Sequence, residues 1–198
     1  ATPLLIVWSA RDGSLVAVIE AFALGQLRTG AVSGVATRAL SDRDASRLAI
    51  IGSGKQALAQ AAAVAAVRTL KEVRVFSPTP DHRDAFASLL AELDLGCEIE
   101  PTDSVEAAVA DADIVTTVTR ARAPFLHAHM LGAGIHVNAV GAITPERREL
   151  AGDVFDRATV VADSPPTARA LAVELEAVGT IVPLCDVVAD GGRLTGDG

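Results

Sequence analysis

The chain has 198 residues, half of them hydrophobic, with 17 Lys and Arg against 25 Asp and Glu for a net charge of −8. That apolar content builds a packed domain and speaks against disorder, while an acidic chain lacks the cationic footprint that binding a nucleic-acid backbone requires. Two cysteines, Cys97 and Cys185, are too few for a disulfide scaffold, and no apolar run approaches the roughly 20 residues of a membrane helix.

The elements follow in order. Pro3–Trp8 and Leu15–Ile19 read as strands joined at Asp12-Gly13, a dipeptide suited to tight turns, so an antiparallel hairpin opens the chain. A helix is predicted from Leu24 to Leu40, softened by Gly30 and Gly34. From Arg47 the pattern alternates: strand Leu48–Ile51, helix Lys55–Leu70, strand Val73–Phe76, helix Asp81–Leu93, a weaker strand Cys97–Ile99 and a short helix Ser104–Ala110. Asp113–Val118, Gly134–Val140 and Thr159–Ala162 read as further buried strands. An amphipathic helix is expected over Thr167–Val178, and a short helical turn near Cys185–Ala189. Short apolar strands alternating with helices predict an α/β fold, a doubly wound parallel sheet of about six strands covered on both faces.

The sharpest local signal is Gly52-Ser53-Gly54-Lys55-Gln56-Ala57, a Gly-x-Gly-x-x-Ala turn between a strand and a helix. Gly52 permits the tight turn, Gly54 lets the backbone approach a pyrophosphate, and Ala57 keeps the helix close to the strand. The expectation is a dinucleotide, with Gly52, Gly54, Lys55 and Gln56 around its phosphates. The tip of the next strand, Ser77-Pro78-Thr79, carries no carboxylate to bind an adenosine ribose. Ser77 and Thr79 beside Pro78, with His82 or Arg83 nearby for charge, suit a 2′-phosphate, which favours NADP(H) over NAD(H). Thr117, Val118 and Thr119 close the fourth strand, and Val140 and Gly141 the fifth. Strand carboxyl ends form the ligand crevice of such sheets, so these residues are expected at the nicotinamide end.

Leu27-Arg28-Thr29-Gly30-Ala31-Val32-Ser33, Ile51-Gly52-Ser53-Gly54-Lys55-Gln56-Ala57, Ala112-Asp113-Ile114-Val115 and Gly134–Gly141 followed by Thr144–Leu150 resemble, in order and spacing, the ornithine cyclodeaminase/mu-crystallin family. The resemblance implies a nicotinamide-dependent enzyme acting on the α-carbon of a small amino or imino acid, with Arg28 gripping the substrate carboxylate and Thr29 beside the cofactor. A guanidinium offers the planar two-point fork that a carboxylate needs. It also implies a homodimer and three regions: a partial substrate and dimerisation domain over 1–43, an NAD(P)-binding Rossmann domain over 44–166, and a C-terminal return over 167–198.

Two departures from that pattern carry meaning. Ile143 stands where the cyclodeaminases carry a catalytic aspartate, which disfavours cyclodeamination because isoleucine moves no proton. The expected activity is therefore NADPH-dependent reduction of a cyclic ketimine carboxylate such as pyrroline-2-carboxylate, or the reverse oxidation. Alternatives are an NAD-dependent alanine dehydrogenase, an ornithine cyclodeaminase, or a non-catalytic ligand-binding protein of the mu-crystallin kind. The second departure is length: family members begin earlier and continue further, so a fragment or a reduced relative is expected. The missing initiator Met fits processing or a fragment, and a start without basic residues fits a cytoplasmic protein.

Three smaller features complete the reading. His127 and His129 read as a polar helix face rather than a metal pair. Cys97 reads as a buried apolar residue, and Glu149 resembles the family's glutamate at that place, which implies a residue that orders its loop, while a surface charge cluster is the equal alternative.

Overall fold

A computed structural model describes residues 3–192. Strands β1 (Leu4–Trp8) and β2 (Leu15–Glu20) pair antiparallel. Their turn is built as the sequence predicts. Gly13 takes a φ of +72°, and Asp12 Oδ1 accepts from Ser14 N at 3.1 Å. The hairpin is apolar yet open on both faces: Trp8 is 60% and Val16 62% exposed.

Helix α1 (Phe22–Leu40) follows, then β3 (Arg47–Ile51), α2 (Ala57–Ala65), β4 (Glu72–Phe76), α3 (Pro80–Ala91), β5 (Glu98–Pro101), α4 (Val105–Val109), β6 (Ile114–Thr117) and β7 (His136–Ala139). The sheet is all parallel in the order β5-β4-β3-β6-β7, five strands rather than about six. The expected sixth strand shrinks to β8 (Val161–Ala162), which pairs in parallel with β9 (Val182–Pro183) in a separate two-stranded sheet. Between β7 and β8 runs the single-turn helix α5 (Gly152–Phe155).

The strands' period of two sorts their side chains. Leu48, Ile50, Val73, Val75 and Ile114 pack with Ala57, Ala61 and Val64 of α2 and with Phe86 and Leu90 of α3. Ala49, Ile51 and Val115 pack on the opposite face with Ala108 and Val109 of α4 and with Leu126, Leu150 and Val154. Burial on both faces explains why β3 reads as an unbroken apolar run.

Gly30 and Gly34 do not soften α1, which is continuous through both. They are its contact with α2. A Cβ on Gly30 would lie 2.6 Å from Ala59 O, and one on Gly34 3.0 Å from Ala63 O. Two glycines four apart on α1 thus meet two alanines four apart on α2, which lets the backbones touch. The C-terminus of α1 is closed by Arg68, whose guanidinium donates to Thr37 O, Arg38 O and Ser41 O and to Ser41 Oγ. Burial pushes that group below its ordinary value.

Helix α2 begins at Ala57 rather than Lys55, because Ser53–Gln56 are spent on the turn. The amphipathic helix expected over Thr167–Val178 is instead α6 (Pro165–Leu171), an extended break at Ala172, and a 3-10 turn Val173–Leu175. The break directs Glu174 toward the backbone of Glu149 and Leu150. The last element, α7 (Leu184–Ala189), packs on α1, and a Cβ on Gly192 just beyond it would meet Ala39 O at 2.6 Å.

Candidate functional site

In the order β5-β4-β3-β6-β7 the chain runs outward from β3 in both directions, so the carboxyl ends of β3 and β6 mark the switch point where a crevice opens. Gly52 sits there with a φ of +115°, a conformation side-chain-bearing residues rarely adopt. A Cβ on it would lie 2.7 Å from Val118 O, and its N–H donates to Phe76 O at 2.8 Å. The turn is thereby tied to both neighbouring strands.

The N–H groups of Ser53, Gly54, Lys55 and Gln56 make no hydrogen bond to any described residue. Gly54 is exposed, and nothing lies within 4 Å of where its Cβ would be. Unpaired amides at a helix start, beside a backbone with open space over it, make a cradle for an anion. These residues fit a dinucleotide pyrophosphate. Lys55 adds a cation whose Nζ rests 4.9 Å from the centre of the Phe22 ring, and Gln26 Nε2 of α1 donates to Lys55 O at 2.8 Å. Gln56 half-buries its side chain, and its Oε1 has no partner among the described residues.

On the β4 side, Ser77 is 6% exposed and its Oγ accepts from Ser53 Oγ at 3.0 Å, leaving its own proton to donate. Pro78, Thr79 and His82 are exposed. Arg83 is already engaged: Nη1 donates to Thr102 O at 2.7 Å and pairs with Asp103 Oδ1 at 2.9 Å.

On the β6–β7 side the threonine hydroxyls turn inward. Thr117 is fully buried and Thr119 half-buried, and both donate to Glu149, Thr117 Oγ1 to Oε2 at 2.9 Å and Thr119 Oγ1 to Oε1 at 2.7 Å. The N–H of Thr119 reaches Oε1 at 2.6 Å and that of Gly141 reaches Oε2 at 2.7 Å. Glu149 is 0% exposed, so it orders the rim and is no surface charge. The sequence shows an acidic residue beside two arginines; the three residues whose four hydrogen bonds hold it lie 8 to 32 positions away. Val118 is buried with its N–H on Ile51 O, and half-buried Val140 donates to Thr117 O. Gly141 is buried where any Cβ would collide with Thr119 O and the Glu149 carboxylate.

Arg28 projects from α1, exposed and without a hydrogen bond or ion pair to any described residue. Half-buried Thr29 returns its hydroxyl to Gly25 O at 3.0 Å. Ile143, at the position of the expected aspartate, is 58% exposed.

Away from the crevice, His127 and His129 stack with centroids 5.6 Å apart, and His127 Nδ1 lies 4.0 Å from Asp153 Oδ1. Among the described residues no group of three or more His, Cys, Asp or Glu is placed to hold a metal ion, and no helix is long and apolar enough to cross a membrane. Cys97 is half-buried, and burial raises its thiol above the ordinary value, which suits a packing residue.

The strand order and the glycine turn at the switch point define an α/β fold of the dinucleotide-binding type. The chain belongs to the ornithine cyclodeaminase/mu-crystallin family, whose model matches residues 1–182. It is 39% identical over 161 residues to an ornithine cyclodeaminase of Brucella suis, covering 80% of this chain and 44% of that protein. To the ketimine reductase mu-crystallin of Mus musculus it is 33% identical over 160 residues, covering 81% and 50%. Among solved structures it resembles the Thermococcus litoralis Δ1-pyrroline-2-carboxylate reductase in complex with NADH and L-proline. That match has a TM-score of 0.87 at 30% identity and covers 93% of this chain and 60% of that one. An archaeal alanine dehydrogenase dimer with bound NAD gives 0.86 at 28%, covering 94% and 60%. The chain spans about half the length of the curated relatives it matches.

Proposed function

We propose that this chain is the cofactor-holding part of an oxidoreductase acting on a C–N bond beside a carboxylate, and that its substrate is a cyclic ketimine carboxylate such as pyrroline-2-carboxylate. The carrying observation is the run of four unpaired amides from Ser53 to Gln56 at the switch point of the sheet. A reduced nicotinamide, when bound, supplies the hydride. The chain's own residues hold and orient. The amides and Lys55 take the pyrophosphate, Thr119, Val140 and Gly141 form the rim at the nicotinamide end, and Arg28 offers its free guanidinium to the substrate carboxylate. An imine nitrogen is basic enough to arrive protonated, so delivery needs little from a protein acid. That agrees with Ile143, exposed and unable to move a proton.

We assign NADP(H) ahead of NAD(H) because the tip of β4 has no carboxylate and Ser77 keeps a proton to donate to a 2′-phosphate. Arg83, held by Asp103, adds little there. Residues 44–166 form the dinucleotide domain in this reading. Residues 1–43 and 167–198 belong to a substrate and dimerisation domain, with the hairpin's open apolar faces as the surface a second copy covers.

The test is loss of reduced-nicotinamide absorbance with pyrroline- or piperideine-2-carboxylate, beside a binding titration of NADPH and NADH. Turnover that Arg28→Ala abolishes without loss of cofactor binding is expected. Tight cofactor binding with no turnover of either imine contradicts the enzyme reading and favours a ligand-binding protein.

A further inference from the structure

Beyond the last shared ladder bond of β6 and β7, Val140 N to Thr117 O at 2.9 Å, the two chains part to form the rim of the crevice. Two backbone donors, Thr119 N and Gly141 N, then have no strand to bond. Glu149 serves both from a loop that returns from outside the sheet. Each of its oxygens accepts two hydrogen bonds: Oε1 takes the N–H and hydroxyl of Thr119, and Oε2 takes Thr117 Oγ1 and Gly141 N. The remaining acceptor capacity of Thr119 Oγ1 goes to Ala121 N at 3.1 Å. Only an acceptor at both ends satisfies this set.

The backbone of Glu149 is fixed as firmly. Its carbonyl accepts from Phe125 N and Leu126 N at 3.0 and 3.1 Å. Its N–H and that of Leu150 both donate to Glu174 Oε2, at 2.8 and 3.2 Å. Glu174 comes from the C-terminal segment, outside the central sheet, and burial raises its carboxyl above the ordinary value despite those two bonds. A hydrogen-bonded line thus runs from the C-terminal segment through Glu149 to the two strand ends that face the crevice. An apolar residue at this spot would leave the N–H groups of Thr119 and Gly141 unpaired. What the carboxylate supplies is a fixed position for Thr119 and Gly141.

We propose that Glu149 is a positioning residue for hydride transfer, acting on the nicotinamide through Thr119 and Gly141, with Glu174 holding it from the C-terminal segment. The assignment rests on reading the crevice as a nicotinamide dinucleotide site. The amides of Ser53 to Gln56 make no hydrogen bond to Glu149 or to the groups it holds, so disturbing Glu149 shifts the reacting ring more than it weakens cofactor binding. Misplacing a reacting group by about 1 Å costs on the order of 100-fold in rate.

The test compares the wild-type chain with Glu149→Gln, in which an amide NH2 replaces one accepting oxygen and faces two donors. NADPH affinity, kcat, KM for the imine, and the isotope effect with NADPH deuterated at the transferred position are measured in each. A kcat lowered about 100-fold, a cofactor Kd within about threefold of wild type, and a larger isotope effect on kcat are expected. A folded Glu149→Gln chain with unchanged kcat, or one losing affinity and rate in equal measure, overturns the proposal. Glu174→Ala leaves the Glu149 side chain intact and is the second probe should Glu149→Gln fail to fold. It is expected to lower kcat about tenfold with Kd unchanged, and an unaltered kcat in it counts against the proposal. A wild-type chain that binds no cofactor removes the reading of the crevice itself, and the positioning role with it.

Discussion

The crossing of α1 on α2 makes Gly30→Ala a sensitive probe of the fold. A new Cβ there meets Ala59 O at 2.6 Å and Ala59 C at 3.0 Å, both backbone atoms that cannot swing aside, so the helices must separate. Overpacking costs about 1–3 kcal/mol, and a clash with backbone atoms belongs at the upper end, about 2–3 kcal/mol. Alanine returns about 0.8–1.0 kcal/mol of helix propensity, leaving a net loss of about 1–2 kcal/mol. Gly25, on the same helix, has nothing within 4 Å of its Cβ position, so Gly25→Ala gains about 0.5–1 kcal/mol. In urea unfolding followed by far-ultraviolet circular dichroism, with a slope of about 2 kcal/mol/M, the Gly30→Ala midpoint should fall by about 0.5–1 M and the Gly25→Ala midpoint rise by about 0.3–0.5 M. Equal shifts in the same direction, or a Gly30→Ala chain as stable as wild type, refute the close crossing.

Gly52→Ala and Gly54→Ala should separate folding from binding. The first forces φ +115° on a residue with a Cβ facing Val118 O and costs about 1–3 kcal/mol by thermal unfolding. The second places its methyl in open space, leaves stability within about 0.5 kcal/mol, and weakens NADPH at least about tenfold by calorimetry. Arg68→Ala strands the last carbonyls of α1 and should cost about 1.5–3 kcal/mol in the same urea assay, with Arg68→Lys recovering only part because one ammonium does not span those acceptors. Burial, aided by the charge of Arg68 and opposed by Asn138, holds His136 below its ordinary value of 6.5. The unfolded chain therefore takes up that proton first, and stability drops as pH falls below 6.5. His136→Gln should flatten that part of the pH–stability curve, and an unchanged slope contradicts the assignment.

The sheet was legible because its determinants are local. The runs Leu48–Ile51 and Val73–Phe76 announce themselves by composition, and Asp12-Gly13 and Gly52–Ala57 by turn chemistry that needs no distant partner. Features that depend on distant partners were not legible. Gly30 and Gly34 signal a weakened helix until Ala59 and Ala63 are set against them. Glu149 reads equally as a loop-ordering residue or as a surface charge until Thr117, Thr119 and Gly141 converge on it, and Arg68 gives no hint in sequence that it closes a helix ending 28 residues earlier. Thr159–Ala162 reads as a strand in the sequence, but no local pattern reveals that β8 pairs with β9, about twenty positions on, instead of joining the central sheet.

The proposed function depends on the amides of Ser53 to Gln56 holding a pyrophosphate. The most direct measurement is a crystal of this chain grown with saturating NADPH. Phosphate oxygens within about 3 Å of those N–H groups are expected, with the nicotinamide lying toward Thr119 and Gly141. A cofactor bound elsewhere, or a crevice holding only solvent at saturation, contradicts it.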